Sequence, residues 1–324
     1  MKALLCTRLG GPDDLEIRDI PDPVAGAGEA VVAVKAAALN FFDTLIIAGK
    51  YQRKPELPFS PSAEFSGVVE SVGPGVTAVK PGDRVAGNIG HGAAREKVAV
   101  PADALVPMPD DLDFDRAAGV TVIYGTTQYA LKNRARLQPG ETLAVLGASG
   151  GVGLAAVELG KIMGARVIAC ASSDDKIAFA KQHGADDGIN YAREDLKTEL
   201  RRLTGGAGPN VVYDPVGGAY SEQAVRAMAP HGRFLVIGFA AGEIPKIPLN
   251  LPLLRDCDIV GVNWGRFVDG DPAGYRANTA ELLAWTAQGR LSSHVHAVYP
   301  LAEAKQALKD IAARKVMGKA ILRP

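Results

Sequence analysis

The sequence predicts an α/β protein in two parts, a compact β barrel or sandwich followed by a doubly wound parallel sheet. Three observations carry that expectation. The first third is punctuated like β structure, regular strand–helix alternation begins near Ile123, and a glycine-rich turn joins the first alternating strand to its helix. At 324 residues the chain exceeds one comfortable core and, at roughly 150 residues per domain, calls for two.

Residues 1–122 are rich in Val, Ala, Gly and Pro, and turns at Gly10-Gly11-Pro12, Gly73-Pro74-Gly75 and Lys80-Pro81-Gly82-Asp83 break them into short apolar runs. Lys2–Cys6 is strand-like, and Val31–Lys35, Gly67–Val72 and Arg84–Ala86 read as strands of a compact barrel or sandwich. Residues 123–265 follow a different grammar. A helix through Thr126–Leu131 precedes strands at Thr142–Leu146, Arg166–Cys170, Asp187–Asn190, Asn210–Tyr213 and Arg233–Ile237, with a sixth at Asp258–Asn263. Helical segments between them make βαβ units, which require a parallel sheet. A helix near Ala280–Trp285 and a last strand at Lys319–Leu322 bring residues 266–324 back to the first domain.

Composition removes several function classes. Hydrophobic residues are 47% and charged residues 22%, as in ordinary soluble domains. Basic and acidic residues balance at 36 each with no long basic run, so nothing drives the chain to nucleic acid or an anionic membrane. No run approaches about 18 apolar residues and no signal-like segment opens the sequence, so a cytoplasmic location is expected. Cys6, Cys170 and Cys257 are far apart and odd in number, which reads as reduced, buried thiols. His294 and His296 share one strand face but lack a third ligand, so they read as surface or interface histidines.

The most informative segment is Gly147-Ala148-Ser149-Gly150-Gly151-Val152-Gly153, directly after an apolar strand and before the helix from Leu154. Ser149, Gly150, Gly151 and Val152 would present bare backbone N–H groups to a dinucleotide diphosphate at a helix N-terminus, where the dipole favours negative charge. The second strand then selects the cofactor. An acid at its end would bind the ribose 2′-OH of NAD, yet Ser172 and Ser173 stand there. Ser173 fits an N-cap, Asp174 and Asp175 fit the first turn of the next helix, and Lys176 can reach a phosphate. The prediction is NADPH, with the two aspartates standing against it.

Several segments together resemble one family over nearly the whole chain. They are Leu39-Asn40-Phe41-Phe42-Asp43-Thr44, Gly75-Val76 with Pro81-Gly82-Asp83-Arg84-Val85, the Gly150–Gly153 turn, Gly184-Ala185-Asp186 with Ile189-Asn190-Tyr191, and Tyr213-Asp214-Pro215-Val216-Gly217-Gly218. The combination resembles the medium-chain dehydrogenase/reductase superfamily, in its zinc-free, zeta-crystallin-like quinone oxidoreductase branch. That resemblance implies a GroES-like catalytic barrel, a Rossmann domain and a homodimer through the edge of the Rossmann sheet. Zinc-dependent members carry a cysteine near Asn40, a His-Glu pair aligned with Ala63-Glu64 and a four-cysteine lobe, whereas this chain has Ala63 in place of the histidine and none of those cysteines. The implied activity is therefore hydride transfer from NADPH to a quinone or an activated alkene without metal.

Carried over residue by residue, the resemblance assigns Asn40 as the amide facing the acceptor oxygen and Tyr51 as an aromatic over the acceptor. Asp43 joins them, more as support for Asn40 than as an acid. Thr126 is matched to a threonine beside the nicotinamide, or else caps its helix. Tyr191 and Lys176 are matched to residues around the adenosine phosphate. Gly238, Phe239 and Trp264 follow strands at the carboxyl edge of the sheet, where core packing explains the aromatics equally well. Arg314 is matched to an arginine near the cofactor, while Lys315 and Lys319 read as solvated charges. Two other functions remain open at this stage: an enoyl-thioester reductase, and a nucleotide-binding redox sensor or structural protein with little turnover.

Overall fold

The computed structural model describes all 324 residues. They form two compact units, one of Met1–Gly125 with Val268–Pro324, the other Thr126–Phe267. The chain passes between them twice, each time inside a helix rather than at a loop.

The first unit opens with a hairpin of β1 (Lys2–Cys6) and β2 (Leu15–Asp19). It continues through β3 (Glu29–Leu39), α1 (Phe41–Ile47), β4 (Glu64–Val72), β5 (Arg84–Asn88), β6 (Lys97–Pro101), β7 (Leu105–Pro107) and α2 (Phe114–Ala118). Strand β3 is the spine, pairing antiparallel with β4 and also with β6. Its alternation of Val and Ala suits a strand buried on both faces, and Val32, Val34, Ala37 and Leu39 join Phe65, Val69 and Val85 in the main core.

Helix α3 (Ile123–Gln128) leads into the second unit and runs on as a turn of π-helix at Tyr129–Arg134. Six parallel strands follow, β8 (Thr142–Leu146), β9 (Arg166–Ala171), β10 (Asp187–Asn190), β11 (Val211–Asp214), β12 (Arg233–Val236) and β13 (Asp258–Gly261). The helices between them are α4 (Gly151–Ile162), α5 (Asp174–Gln182), α6 (Leu196–Leu203), α7 (Ala219–Ala227) and α8 (Asn250–Arg255). The sheet order is β10-β9-β8-β11-β12-β13, so the chain reverses direction beside β8, the crevice where open α/β sheets bind ligands. Each predicted strand of this sheet appears within two residues of its expected bounds.

After α9 (Trp264–Gly270) and α10 (Pro272–Ala287), the chain returns through β14 (Val295–Pro300), α11 (Ala304–Ala312) and β15 (Lys319–Arg323). Strand β15 pairs antiparallel with β3, Ala320 opposite Leu39, and parallel with β14. Beginning with Lys319, β15 enters the sheet with a charge facing inward, against the expectation that Lys319 is solvated. No helix is long and apolar enough to cross a membrane.

Candidate active site

In the first unit, the polar residues of interest gather where β3, β4 and β15 meet. Asn40 ends β3 and is the N-cap of α1, in extended backbone conformation. Asp43, three residues on, reaches back so that its Oδ2 accepts the Asn40 backbone N–H at 2.7 Å. Its Oδ1 accepts the N–H of Ser62 at 3.0 Å. Ser62 itself has φ of 68°, a left-handed conformation costly for a residue with a Cβ, and this bond helps to hold it. Asp43 is 0% exposed, so it cannot touch an acceptor. It shapes the turn that carries Asn40, and the catalytic assignment of Asp43 gives way to a positioning one.

The Asn40 side chain turns away from its helix. Its Nδ2 donates to Glu64 Oε1 at 2.9 Å, and its Oδ1 accepts from Lys319 Nζ at 2.8 Å. Lys319 Nζ also donates to Glu64 Oε1 at 2.7 Å and to the Leu39 carbonyl at 3.0 Å. Glu64 Oε2 accepts from Thr121 Oγ1 at 2.8 Å and from the Val122 N–H at 2.7 Å. Lys319 is 2% exposed, Glu64 0% and Asn40 7%. Lys319 is thus a buried ion-pair partner, because every ammonium proton finds an acceptor inside the fold and solvent is not needed.

Tyr51 stacks on Phe42, ring centroids 5.5 Å apart and 24° between planes, leaving the ring half-buried on the loop after α1. Arg314 is exposed, with a left-handed φ of 57°, just beyond the end of α11.

In the second unit the glycine turn has the predicted form. Gly150 is the N-cap of α4 and offers no side chain to the helix's first N–H groups. Gly147 has φ of 61°, and a Cβ on Gly153 would lie 2.1 Å from the Gly147 carbonyl oxygen. Only glycine lets the helix start this close to the strand end. Ser149 is buried, while Gly150, Gly151 and Val152 are half-buried at the mouth of the turn. The bare, open N-terminus fits a diphosphate.

At the end of β9, Ser173 caps α5 by accepting the Lys176 N–H at 3.4 Å, and Lys176 Nζ donates to the exposed Ser172 Oγ at 3.3 Å. Asp174 points elsewhere. Its Oδ1 accepts from Asn190 Nδ2 at 2.7 Å, and its Oδ2 pairs with the Arg193 guanidinium. That guanidinium, with the Asn190 amide, holds the Asp174 carboxyl below its usual range. Tyr191, between them in sequence, packs its ring on Tyr220 at 4.2 Å. Thr126 is half-buried in α3, and its neighbour Thr127 shares a 2.8 Å hydrogen bond with the Tyr213 hydroxyl. Gly238 is half-buried, Phe239 exposed and Trp264 half-buried at the head of α9.

Sequence reasoning missed Lys319, Thr121 and Arg193, and treated Glu64 only as half of an absent zinc pair. The one available signal was a charge at the head of a strand whose next residues are largely apolar, at Glu64 and again at Lys319.

Comparison with known proteins agrees with this architecture. Residues 26–110 match the alcohol dehydrogenase GroES-like domain, and residues 151–286 match the zinc-binding dehydrogenase family. The chain is 38% identical to a quinone oxidoreductase-like protein 2 homolog from Nematostella vectensis, over 99% of this chain and 88% of that one. A quinone oxidoreductase structure from Pseudomonas syringae aligns with TM-score 0.92 at 34% identity, covering 100% of this chain and 99% of that one. A mycobacterial protein solved with NADPH aligns with TM-score 0.91 at 32% identity, covering 100% of both. The chain belongs to the medium-chain dehydrogenase/reductase superfamily, in its quinone oxidoreductase branch. It is an oxidoreductase.

The buried carboxyl of Asp43 generates a pH dependence. Burial, the largest influence, outweighs its two backbone hydrogen bonds and the Lys319 charge and pushes its pKa up to about 7 from 3.8. The folded state therefore holds this proton more tightly than the unfolded chain. The resulting stabilisation is complete below pH 3.8 and is lost as pH rises through about 7. Carbon-13 NMR of labelled aspartate is expected to show one carboxyl titrating near neutrality that disappears in Asp43→Asn. All aspartates titrating at or below their ordinary range would refute this.

Proposed function

We propose that the protein reduces a quinone or an activated alkene with NADPH, without a metal ion. The observation that carries the cofactor choice is the fate of Asp174. An acid beside the adenosine ribose favours NAD by accepting from the 2′-OH and repelling a 2′-phosphate. Here its carboxylate is taken up by Arg193 and Asn190, while Ser172 and Ser173 keep hydroxyl protons to donate and Lys176, bonded only to Ser172 at 3.3 Å, keeps two further ammonium protons for the phosphate. The mycobacterial relative's NADPH complex supports the same choice. Gly150–Gly153 would hold the diphosphate against the N-terminus of α4, and Tyr191 would flank the adenosine phosphate.

When bound, NADPH supplies the hydride. The chain's own residues supply orientation and charge stabilisation. Asn40 donates an amide N–H to the acceptor oxygen, which gains negative charge as it is reduced, and Tyr51 offers a ring for a flat acceptor to stack on. The quinone is the substrate class of the relatives' names. Zinc independence rests on the donor set. The Lys319 ammonium sits where Asn40 Oδ1 and Glu64 Oε1 converge, so a second cation there would meet a unit positive charge, and Ala63 adds no ligand.

Stopped-flow oxidation of NADPH against quinones, enones and enoyl thioesters tests this reading, with zinc measured on the same preparation. Turnover with the first two classes is expected; turnover confined to enoyl thioesters, no turnover, or stoichiometric zinc would overturn it. Lys176→Ala is expected to weaken NADPH by about tenfold or more while NADH changes by less than about twofold, since a charge-assisted contact is lost only with the phosphate. Fluorescence titration with both nucleotides checks this, and equal losses would reject the role of Lys176.

A homodimer is part of the same proposal. Strand β13 is the sheet's last strand, paired only on its β12 side, and in the segment that precedes it in sequence Leu249, Leu253 and Leu254 are 84%, 79% and 72% exposed. An unprotected sheet edge together with bare leucines is the kind of surface that a second copy covers across a two-fold axis. Light scattering should find a dimer in the wild type and a monomer in Leu253→Asp/Leu254→Asp; a monomeric wild type would refute the interface. A cytoplasmic location belongs to this reading as well, since three free, buried thiols suit a reducing compartment.

A further inference from the structure

Asn40 carries an ambiguity that its surroundings remove. An asparagine amide is nearly symmetric in shape, and rotation by half a turn exchanges an acceptor for a donor. An acceptor oxygen undergoing reduction needs a donor, so the wrong orientation would present a lone pair to developing negative charge.

Two charged groups fix the orientation. The Lys319 ammonium can only donate, and it lies 2.8 Å from Asn40 Oδ1. The Glu64 carboxylate can only accept, and its Oε1 lies 2.9 Å from Asn40 Nδ2. Lys319 Nζ and Glu64 Oε1 are themselves 2.7 Å apart, which closes a ring of three hydrogen bonds. Turning the amide over would set its NH₂ against an ammonium and its oxygen against a carboxylate, breaking both contacts at once. Glu64 cannot swing away, because Thr121 and Val122 hold its other oxygen. Lys319 cannot either, since its third proton is on the Leu39 carbonyl at 3.0 Å. Of the two Nδ2 protons, Glu64 takes one, and the other meets no protein acceptor.

We propose that Lys319 is a positioning residue for the reaction: with Glu64 it locks the Asn40 amide so that its one unclaimed N–H is the group offered to the acceptor oxygen. This deepens the assignment of Asn40 made above and rests on it. Lys319 touches neither acceptor nor cofactor in this role. Its effect on catalysis passes entirely through Asn40.

A double-mutant cycle tests the idea on the full-length enzyme, reading kcat and KM for a quinone at saturating NADPH, NADPH affinity by fluorescence, and folding by circular dichroism. Asn40→Ala alone should lower kcat/KM by about tenfold or more, the scale of one hydrogen bond to a developing charge. Lys319→Met should lower it comparably, with NADPH affinity within about twofold of the wild type, and should add little in the Asn40→Ala background. Lys319→Arg, which keeps a cationic donor, should recover part of the loss. If Lys319→Met does not fold because Glu64 is left unpaired, Glu64→Gln/Lys319→Met removes both charges together and replaces it in the cycle. Unchanged kinetics in Asn40→Ala would overturn the acceptor role of Asn40 and this inference with it. A normal Asn40→Ala loss combined with a Lys319 effect that is absent, or that adds fully to it, would overturn the positioning role alone.

Discussion

The ion pair between Lys319 and Glu64 is the constraint on which the first unit is organised. Burying two charges costs several kcal/mol per ion, and the pair is tolerable only where further hydrogen bonds complete both groups. That condition is met: three donors on Lys319 meet three acceptors, and both oxygens of Glu64 accept twice. Lys319 and Glu64 are 255 positions apart in sequence, so the pair forms only when the C-terminal strand has returned to β3. A misplaced β15 would leave a bare carboxylate in the core, a penalty on the order of 3–5 kcal/mol. The network thereby specifies which strand completes the barrel, in addition to what it does for Asn40.

The second unit handles charge by a different route. Its proposed anion site consists of backbone at α4, where the absence of side chains is the essential property, and of a serine- and lysine-bearing corner at the end of β9. The neighbouring acid is not removed from the sequence but paired, by an arginine and an amide from the end of β10 and the loop after it. Both partners of that pair are well exposed, so its strength falls with salt, whereas the buried pair in the barrel is shielded from it.

Much of the second unit was legible in the sequence because its information is local. Most of its parallel strands carry a short apolar run, and the turn between β8 and α4 announces itself by glycines at set positions. Asp174 and Asp175 stood against NADPH there. The pairing that occupies Asp174 depends on Arg193, nineteen positions later, and nothing in the one-dimensional pattern joins them. The barrel was harder for the same reason on a larger scale. Lys319 looks solvated when read with Lys315 and Arg314, and its burial follows only from the antiparallel pairing of β15 with β3. Asp43 sat correctly beside Asn40 in the sequence reading, but its complete burial, which rules out contact with an acceptor, is a property of the packed turn at Ser62.

The net charge of the buried cluster bears on which acceptors suit the proposed reaction. Lys319 and Glu64 cancel, so an acceptor bound at Asn40 as proposed would meet the dipole of one oriented amide and no excess positive charge. A Lewis-acid metal can supply several kcal/mol to an oxygen that becomes an alkoxide, which is what reduction of an ordinary ketone demands. One preorganised N–H supplies less, about 3–4 kcal/mol in the best-studied cases. Such a site therefore matches acceptors that spread the incoming charge over a conjugated system, where the oxygen carries only part of it. Quinones and enones have that property, and simple carbonyls do not. On the proposed metal-free reading, a neutral, rigid network in place of zinc would narrow the substrates toward compounds already disposed to accept a hydride.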